Sequence, residues 1–440
     1  MDMSQPNMRG SHLPVIVVGG GQAGLAMSWC LKHNGIEHLV FEKHRLAHEW
    51  RTRRWDSFCL VTPNWQCALP GFSYADYGGT DPHGFMVREE IVAYIEAYAA
   101  SFQPPLREGV AVRSVRRGPG GVFEVGTSDG EYTADQVVIA IGGYHVPTVP
   151  RIAERLPEHV LQIHSVDYRN AAQLPAGEVL VVGSGQSGAQ IAEDLHLAGR
   201  KVHLCVGSAP RTARFYRGRD VVDWLADMGY YDMPVHEHPL KERVRAKANH
   251  YVTGRDGGRD IDLRRFAKEG MQLHGRLQDV RGGRFHFGDD LKHNLDNADA
   301  VSESIKTSID KYIAAQGIAA PEEARYVPVW QPGEPLRELD VAASGITSVI
   351  WSNGFRPDWG WIEMPVFDGK GYPSHRRGVT AQPGLYFLGL PWQYTWGSGR
   401  FSGVGDDARH LAGHVQRRID EQAEAARTVR MGLNEWALGS

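Results

Sequence analysis

The apolar positions of this chain alternate between two patterns, short β-branched runs and longer stretches with helical spacing. Residues Val15 to Val18 form the first unbroken apolar run, as expected of a strand buried on both faces of a parallel sheet. Glycines follow. A helical stretch then spans about Gln22 to Asn34, with Gly35 placed to close it, and a second short strand ends at Glu42. This is the order of a βαβ unit, whose parallel strands require a crossover helix. The same plan returns later: a strand at about Val179 to Val182, the glycines of GSGQSG, a helix running to Gly199, and a strand over Val202 to Val206. Two further segments, TADQVVIAIGGYHVPTVP and ITSVIWSNGFRPD, each read as a strand followed by glycine, an aromatic residue and proline. One plan is thus used twice, and the second copy is longer.

The expected fold class is α/β, with two Rossmann-like nucleotide-binding domains and the second inserted into the first. Residues 12–165 and 340–440 are expected to form one domain. Residues 166–339 form the other, with a helical insertion around 283–335, where DAVSESIKTSIDKYIAA has amphipathic spacing. RIAERLPEHVLQIHSVDYRN, after Pro147 and Pro150, reads as the link between them. From Gly384 the pattern gives a strand, a glycine- and aromatic-rich loop, and a helix that continues into a polar tail.

Composition narrows the class. The 440 residues are 42% apolar and 23% charged, with a net charge of -4, enough for two sizeable cores. The near-neutral balance gives no electrostatic reason to bind nucleic acid or anionic lipid. Four cysteines, Cys30, Cys59, Cys67 and Cys205, form no CxxC pair and no zinc spacing. They are expected to be free thiols, with neither a dithiol redox centre nor a metal site. The start, MDMSQPNMRGSH, is polar, and no stretch has the ~20 apolar residues of a membrane span. The expectation is a soluble cytoplasmic protein.

The candidate chemistry lies at the two glycine loops. Each follows a buried strand and opens a helix, the context that gives a GxGxxG pattern its meaning. Gly19 and Gly183 allow the sharp turn, Gly21 and Gly185 let a pyrophosphate approach the backbone, and Gly24 and Gly188 bring helix and strand together. Gln22 and Ala23, and Gln186 and Ser187, complete the first helical turns, whose free N–H groups favour anions. Glu42 ends the second strand, where a carboxylate accepts hydrogen bonds from adenosine ribose hydroxyls and repels a 2′-phosphate. The first site therefore suits FAD or NAD. In the second unit Val206 and Gly207 stand at that place, followed by Arg211 and Arg214. A missing acid with nearby guanidinium groups points to NADPH. The alternative is an ordinary solvated basic loop.

With these residues in view, the chain resembles the class B flavin-dependent monooxygenases, which include flavin-containing monooxygenases, plant YUCCA-type enzymes, N-hydroxylases and Baeyer–Villiger enzymes. It is most similar to a bacterial flavoprotein group within that breadth. The resemblance spans nearly the whole chain, through GGGQAG, FEK with Trp50 downstream, RWDSFCLVTPNWQCALPG, IAIGGYHVPTVP, GSGQSG, and LYFLGLPW with GVGDDA. Of the linker signature, His164 and Tyr168 are kept, but Glu158 stands where Phe is expected and Val160 where Gly is expected. Baeyer–Villiger enzymes usually carry Trp at the position of Tyr168, which argues against that chemistry. His164 reads equally well as a packed interdomain histidine.

The resemblance implies FAD at the first loop and NADPH at the second. NADPH reduces the flavin, oxygen adds to give a C4a-(hydro)peroxide, and a small organic substrate is oxygenated at nitrogen or sulfur, or by YUCCA-like oxidation. It places Lys43, Trp50, Thr62, Val112 and Gly142 at the cofactors. Asn64 is then the candidate catalytic residue, able to hydrogen-bond the peroxide or the coenzyme amide; a turn asparagine after Pro63 fits as well. Trp65, Trp392, Tyr394 and Trp396 are candidates to line the substrate site, or else belong to the core. Two rivals remain open, an NAD(P)H-dependent flavin reductase or oxidase without oxygen insertion, and a non-catalytic flavoprotein with one decayed site. Substrate identity and oligomeric state, homo-oligomers included, are left open.

Overall fold

A computed structural model describes residues 10–438. The first nine residues of the polar start and the last two of the tail lie outside the described residues. The strand His12–Val18 and the strand His38–Phe41 run parallel, in register from Val15 opposite His38 to Val18 opposite Phe41. The helix Gln22–His33 crosses between them. It stops at Asn34 because Gly35 adopts φ +70°, a left-handed conformation that costs glycine little. Eight of its twelve residues are buried, since it packs against both the sheet and the long C-terminal helix Val404–Leu438.

The first sheet draws on distant parts of the chain. Strand Gly130–Ile139 lies parallel to His12–Val18 on one side and to Leu385–Phe387 on the other. The antiparallel hairpin of Val112–Arg117 and Phe123–Thr127 branches from Gly130–Ile139. Residues 385–387 and the C-terminal helix thus complete the sheet begun at residue 12.

A second parallel sheet runs in the order Leu161–His164, Ile346–Trp351, Glu178–Val182, Val202–Cys205, Gln272–His274. The helix Gln186–Leu197 covers one face, and an antiparallel unit of residues 277–281, 284–287 and 338–340 covers the other. Sheet membership corrects the expected boundaries at 165 and 340, because residues 161–164 and 346–351 both pair in the second sheet. The chain crosses between the sheets where Val146–Pro147 and Phe355–Arg356 pair antiparallel as a two-stranded ribbon. The physical reason is that a β-branched run such as 346–351 satisfies either sheet, and only its non-local partners decide which. The amphipathic helix in the 283–335 stretch spans Leu291–Gln316. It buries Leu295, Ala298, Ser302, Lys306, Ile309 and Ile313 along one stripe, and Gly317 closes it at φ +64°.

Candidate functional site

The two glycine loops are near copies in geometry. Gly19 and Gly183 adopt φ +106° and +103°, outside the range comfortable for other residues. A Cβ on Gly24 would lie 1.8 Å from the Gly19 carbonyl oxygen, and one on Gly188 would lie 1.8 Å from that of Gly183. Only hydrogen fits there. By contrast, a Cβ on Gly21 or Gly185 would meet nothing within 4 Å, so both loops leave open space beside the helix N-terminus where a pyrophosphate fits. Gln22 receives the indole N–H of Trp50 at 3.3 Å and donates to the Gly399 carbonyl at 3.5 Å. Gln186 is the counterpart, donating to the Val252 carbonyl at 2.7 Å and accepting from its N–H at 3.3 Å. Ala23 is buried and Ser187 is exposed in the first helical turn.

At the strand ends the copies part company. Glu42 accepts from the backbone N–H of Gly20 at 2.7 Å and of His44 at 2.9 Å, which fixes its carboxylate beside the first loop. Lys43 next to it is exposed. In the second unit Val206 is buried, and the Gly207 N–H donates to Ser184 Oγ at 2.9 Å. The strand end of the second unit thus carries Val206 in place of a carboxylate, and the bond between loop and strand end runs the other way, from the Gly207 N–H to the loop hydroxyl of Ser184.

The two arginines that follow do not face this spot as free cations. Arg211 is 3% exposed; its Nε donates to Asp299 at 2.6 Å and its guanidinium lies 4.3 Å from the centre of the Tyr326 ring. Arg214 is 1% exposed, donating to Asp220 at 2.7 Å and to the Val61 carbonyl at 2.7 Å. Neither is the solvent-facing cation that the sequence pattern suggests. Buried guanidinium groups need internal partners, and carboxylates of this chain already supply them.

Around the expected flavin ring, Trp50 stacks on Phe401 with ring centres 5.7 Å apart. Thr62 is half-buried and Gly142 turns at φ +72° with open space before it. Val112 opens its strand partly buried against the first sheet. Asn64 does not present a free amide. It is buried, donates to the Asp81 carbonyl at 3.0 Å and accepts from the Met86 N–H at 2.7 Å. These bonds make it a brace for the loop 81–86, the arrangement expected of a turn asparagine after Pro63.

Two cavities meet at Trp65, which is 36% exposed and donates its indole N–H to Asp223 at 2.8 Å. One, of about 820 Å³, is lined by Trp65, His83, Phe215 and the acidic residues Asp220, Asp223 and Asp227. The other, of about 700 Å³, includes Tyr394, Arg377, Asp406, Asp407 and His410. Of the four aromatic candidates, Trp65 and Tyr394 line a cavity. Trp392 is 5% exposed and packs with Val235 and Val244, and Trp396 lies beneath Arg400 and beside Tyr231. Asp406 and Asp407 stand in GVGDDA, a motif whose spacing alone does not mark their carboxylates as cavity-lining. Burial pushes the Asp407 carboxyl up, while hydrogen bonds from Ser398 and Arg377 and the Arg377 charge hold it down.

The linker residues act in packing. His164 is buried, with one ring nitrogen 3.1 Å from the Gly354 carbonyl and the other accepting from the Val166 N–H at 3.2 Å. This is a satisfied histidine at the ribbon. The Tyr168 hydroxyl donates to Asp194 at 2.6 Å, and Asp194 also receives Ser57 and Arg255. That clamp ties residue 57, on the first-unit side, to the helix of the second glycine loop. All four cysteines are free and buried. Burial raises Cys30 and Cys59 to about 11 and Cys67 to about 12, so none is a ready thiolate nucleophile. Among the described residues no group of His, Cys, Asp and Glu could hold a metal ion, and no helix is long and apolar enough to cross a membrane.

Comparisons with known proteins agree with this geometry. Residues 16–252 match the family described as pyridine nucleotide-disulphide oxidoreductase. An oxidoreductase of the CzcO-like type from Geobacillus kaustophilus is 33% identical over 408 residues, covering 91% of this chain and 97% of that protein. The probable indole-3-pyruvate monooxygenase YUCCA1 of Arabidopsis thaliana is 31% identical over 199 residues, 44% of this chain and 47% of that protein. Among solved structures, a flavin monooxygenase variant from Stenotrophomonas maltophilia superimposes with a TM-score of 0.61 at 18% identity, covering 93% of this chain and 99% of its own.

Proposed function

Because the chain belongs to the pyridine nucleotide-disulphide oxidoreductase family, we propose that it is a flavin-dependent monooxygenase that binds FAD at Gly19–Gly24 and NADPH at Gly183–Gly188 and oxygenates a small organic substrate with dioxygen. The observation that carries the division of labour is the contrast between Glu42 and the Ser184–Gly207 pair. A carboxylate fixed by two backbone N–H groups suits an unphosphorylated ribose and repels a 2′-phosphate. Its absence from the second unit removes that repulsion, and this, not Arg211 or Arg214, supports NADPH there. Bound flavin supplies hydride acceptance and oxygen activation. The chain's own residues cradle the two pyrophosphates, fix the ribose, and close the ring region with Trp50 and Phe401.

Buried, protonated cysteines without a paired thiol favour oxygenation over disulfide reduction, despite the family's name. The test is cofactor release and reduction. Heat-released flavin should be FAD at one per chain, and anaerobic NADPH should bleach the bound flavin. A chain that retains no FAD, or an FAD that no nicotinamide coenzyme reduces, would end this reading.

A further inference from the structure

The two glycine-loop helices are joined by a short stretch of the first unit, residues 50–58. At one end the Trp50 indole N–H donates to Gln22, the first residue of the helix Gln22–His33. At the other end Ser57 Oγ donates to Asp194 Oδ1 at 2.5 Å, inside the helix Gln186–Leu197. The aromatic residues in this stretch bridge the two cores. Trp50 packs on the first, Trp55 is buried in the second, and Phe58 touches both. The Phe58 ring centre lies 6.0 Å from that of Trp50 and 5.0 Å from that of Trp55.

Asp194 is held where these parts meet. It is buried, and its carboxylate takes donors from three segments. Oδ1 accepts from Ser57 of the first unit and from Arg255 at 2.7 Å, and Oδ2 accepts from Tyr168 at 2.6 Å. A buried carboxylate keeps its charge only with such donors. Nearby, the Asp56 N–H donates to the Arg169 carbonyl at 2.8 Å and Asn170 donates to the Asp56 carboxylate at 2.6 Å, which ties the stretch to the linker as well. Two other hydrogen bonds cross between the units, from Arg214 to the Val61 carbonyl and from Trp65 to Asp223, but neither ends on a glycine-loop helix. The two chain crossings, Val146–Pro147 and Phe355–Arg356, lie side by side in one ribbon. They join the units along a line, and contacts away from that line must set the angle about it.

We propose that residues 50–58 are a strut that sets the spacing and angle of the two nucleotide sites, with Ser57 and Asp194 as positioning residues for flavin reduction. This inference rests on the function proposed above. Flavin reduction passes a hydride from the nicotinamide to the flavin ring, and its rate depends steeply on how the two are held.

Two variants separate positioning from local stability. Ser57→Ala removes the donor that comes from the first unit, whereas Tyr168→Phe removes one from the second unit's own side. Each leaves Asp194 two donors. Ser57 is exposed, so its alanine variant should fold and keep FAD. In anaerobic stopped-flow, Ser57→Ala should lower the limiting rate of flavin reduction by NADPH roughly three- to tenfold, the range that the net contribution of one hydrogen bond covers. The coenzyme Kd and the oxidised flavin spectrum should not move. Ser57→Thr should restore the rate, and Tyr168→Phe should leave it at the wild-type level. With no coenzyme present, hydrogen–deuterium exchange of Ser57→Ala should quicken in residues 50–58 and 186–197 together. An unchanged limiting rate overturns the proposal, as does a change confined to Kd. An equal loss in Tyr168→Phe, exchange that quickens in neither segment, or loss of FAD from Ser57→Ala overturns it too. A wild-type flavin that no nicotinamide coenzyme reduces refutes the underlying function, whereas a reducible protein indifferent to Ser57 refutes this inference alone.

Discussion

Gly207 offers the most direct handle on coenzyme choice. It stands just after the strand end where the first unit carries Glu42, its N–H is held by Ser184, and a Cβ there would meet nothing within 4 Å. Gly207→Asp should therefore fold and place a carboxylate beside the 2′ position of the bound coenzyme. A 2′-phosphate carries roughly two negative charges. Each charge pair at ~4 Å costs about 1 kcal/mol in water-like surroundings and about 4 kcal/mol at an effective dielectric of 20. The open position argues for the lower end, so NADPH should lose about 1–2 kcal/mol, or roughly five- to thirtyfold in Kd. NADH carries no phosphate there and gains a ribose acceptor, so its Kd should hold or tighten. The assay is anaerobic stopped-flow reduction of the flavin at varied coenzyme concentration, which yields Kd and the limiting rate separately. A variant whose NADPH and NADH affinities move together would show that Gly207 does not face the ribose and would refute the assignment.

Other expectations follow from the same contacts. Arg211→Ala should destabilise the protein by about 3 kcal/mol in chemical denaturation, since it breaks a buried pair in which Asp299 keeps only Arg264; the NADPH-to-NADH preference should not change. Gly21→Val should yield a soluble protein without FAD, because the loop has space for the side chain but the pyrophosphate then does not. Gly24→Ala should fail to give folded protein, as its methyl would overlap the Gly19 carbonyl; cofactor content and circular dichroism distinguish the two. His274, buried against Phe287 and hydrogen-bonded to His203 at 2.9 Å, has its pKa lowered from 6.5 to about 3 by burial and by the His203 charge. Between those values the unfolded chain takes up the proton and the folded chain does not, so stability should fall as pH drops below 6.5, by up to about 1.4 kcal/mol per pH unit. His274→Gln should flatten that acid limb in pH-dependent melting, and an unchanged limb would place its origin elsewhere.

The two βαβ units were legible because their signals are local. A β-branched run, three spaced glycines and a helical stretch within some thirty residues leave little choice of structure. Part of what the sequence leaves hidden depends on partners far along the chain, as with Arg211 and Asp299, 88 residues on. Arg214 is different: Asp220 lies only six residues away, and the turn between them is what joins the pair. For Asn64 the sequence leaves a site amide and a turn asparagine both open, and only the fold shows the 81–86 loop meeting both ends of its side chain. Strand 346–351 looked the same whichever sheet it joined, so the boundary at 340 fell before it rather than after. The Asp194 clamp and the acidic wall at Asp223 arise only when segments from both units meet, which no spacing along the chain records. Glu42 was legible for the opposite reason, since its partners Gly20 and His44 lie within the same unit.

The claim that this chain is an oxygenase, not simply a flavin reductase, is tested most directly by mixing the NADPH-reduced protein with oxygen while recording the flavin spectrum. The account predicts that the oxidised spectrum returns only after an additional absorbing species has formed and decayed, and that bound NADP+ prolongs this delay. A single-step return to oxidised flavin, with stoichiometric hydrogen peroxide and no effect of NADP+, would contradict it.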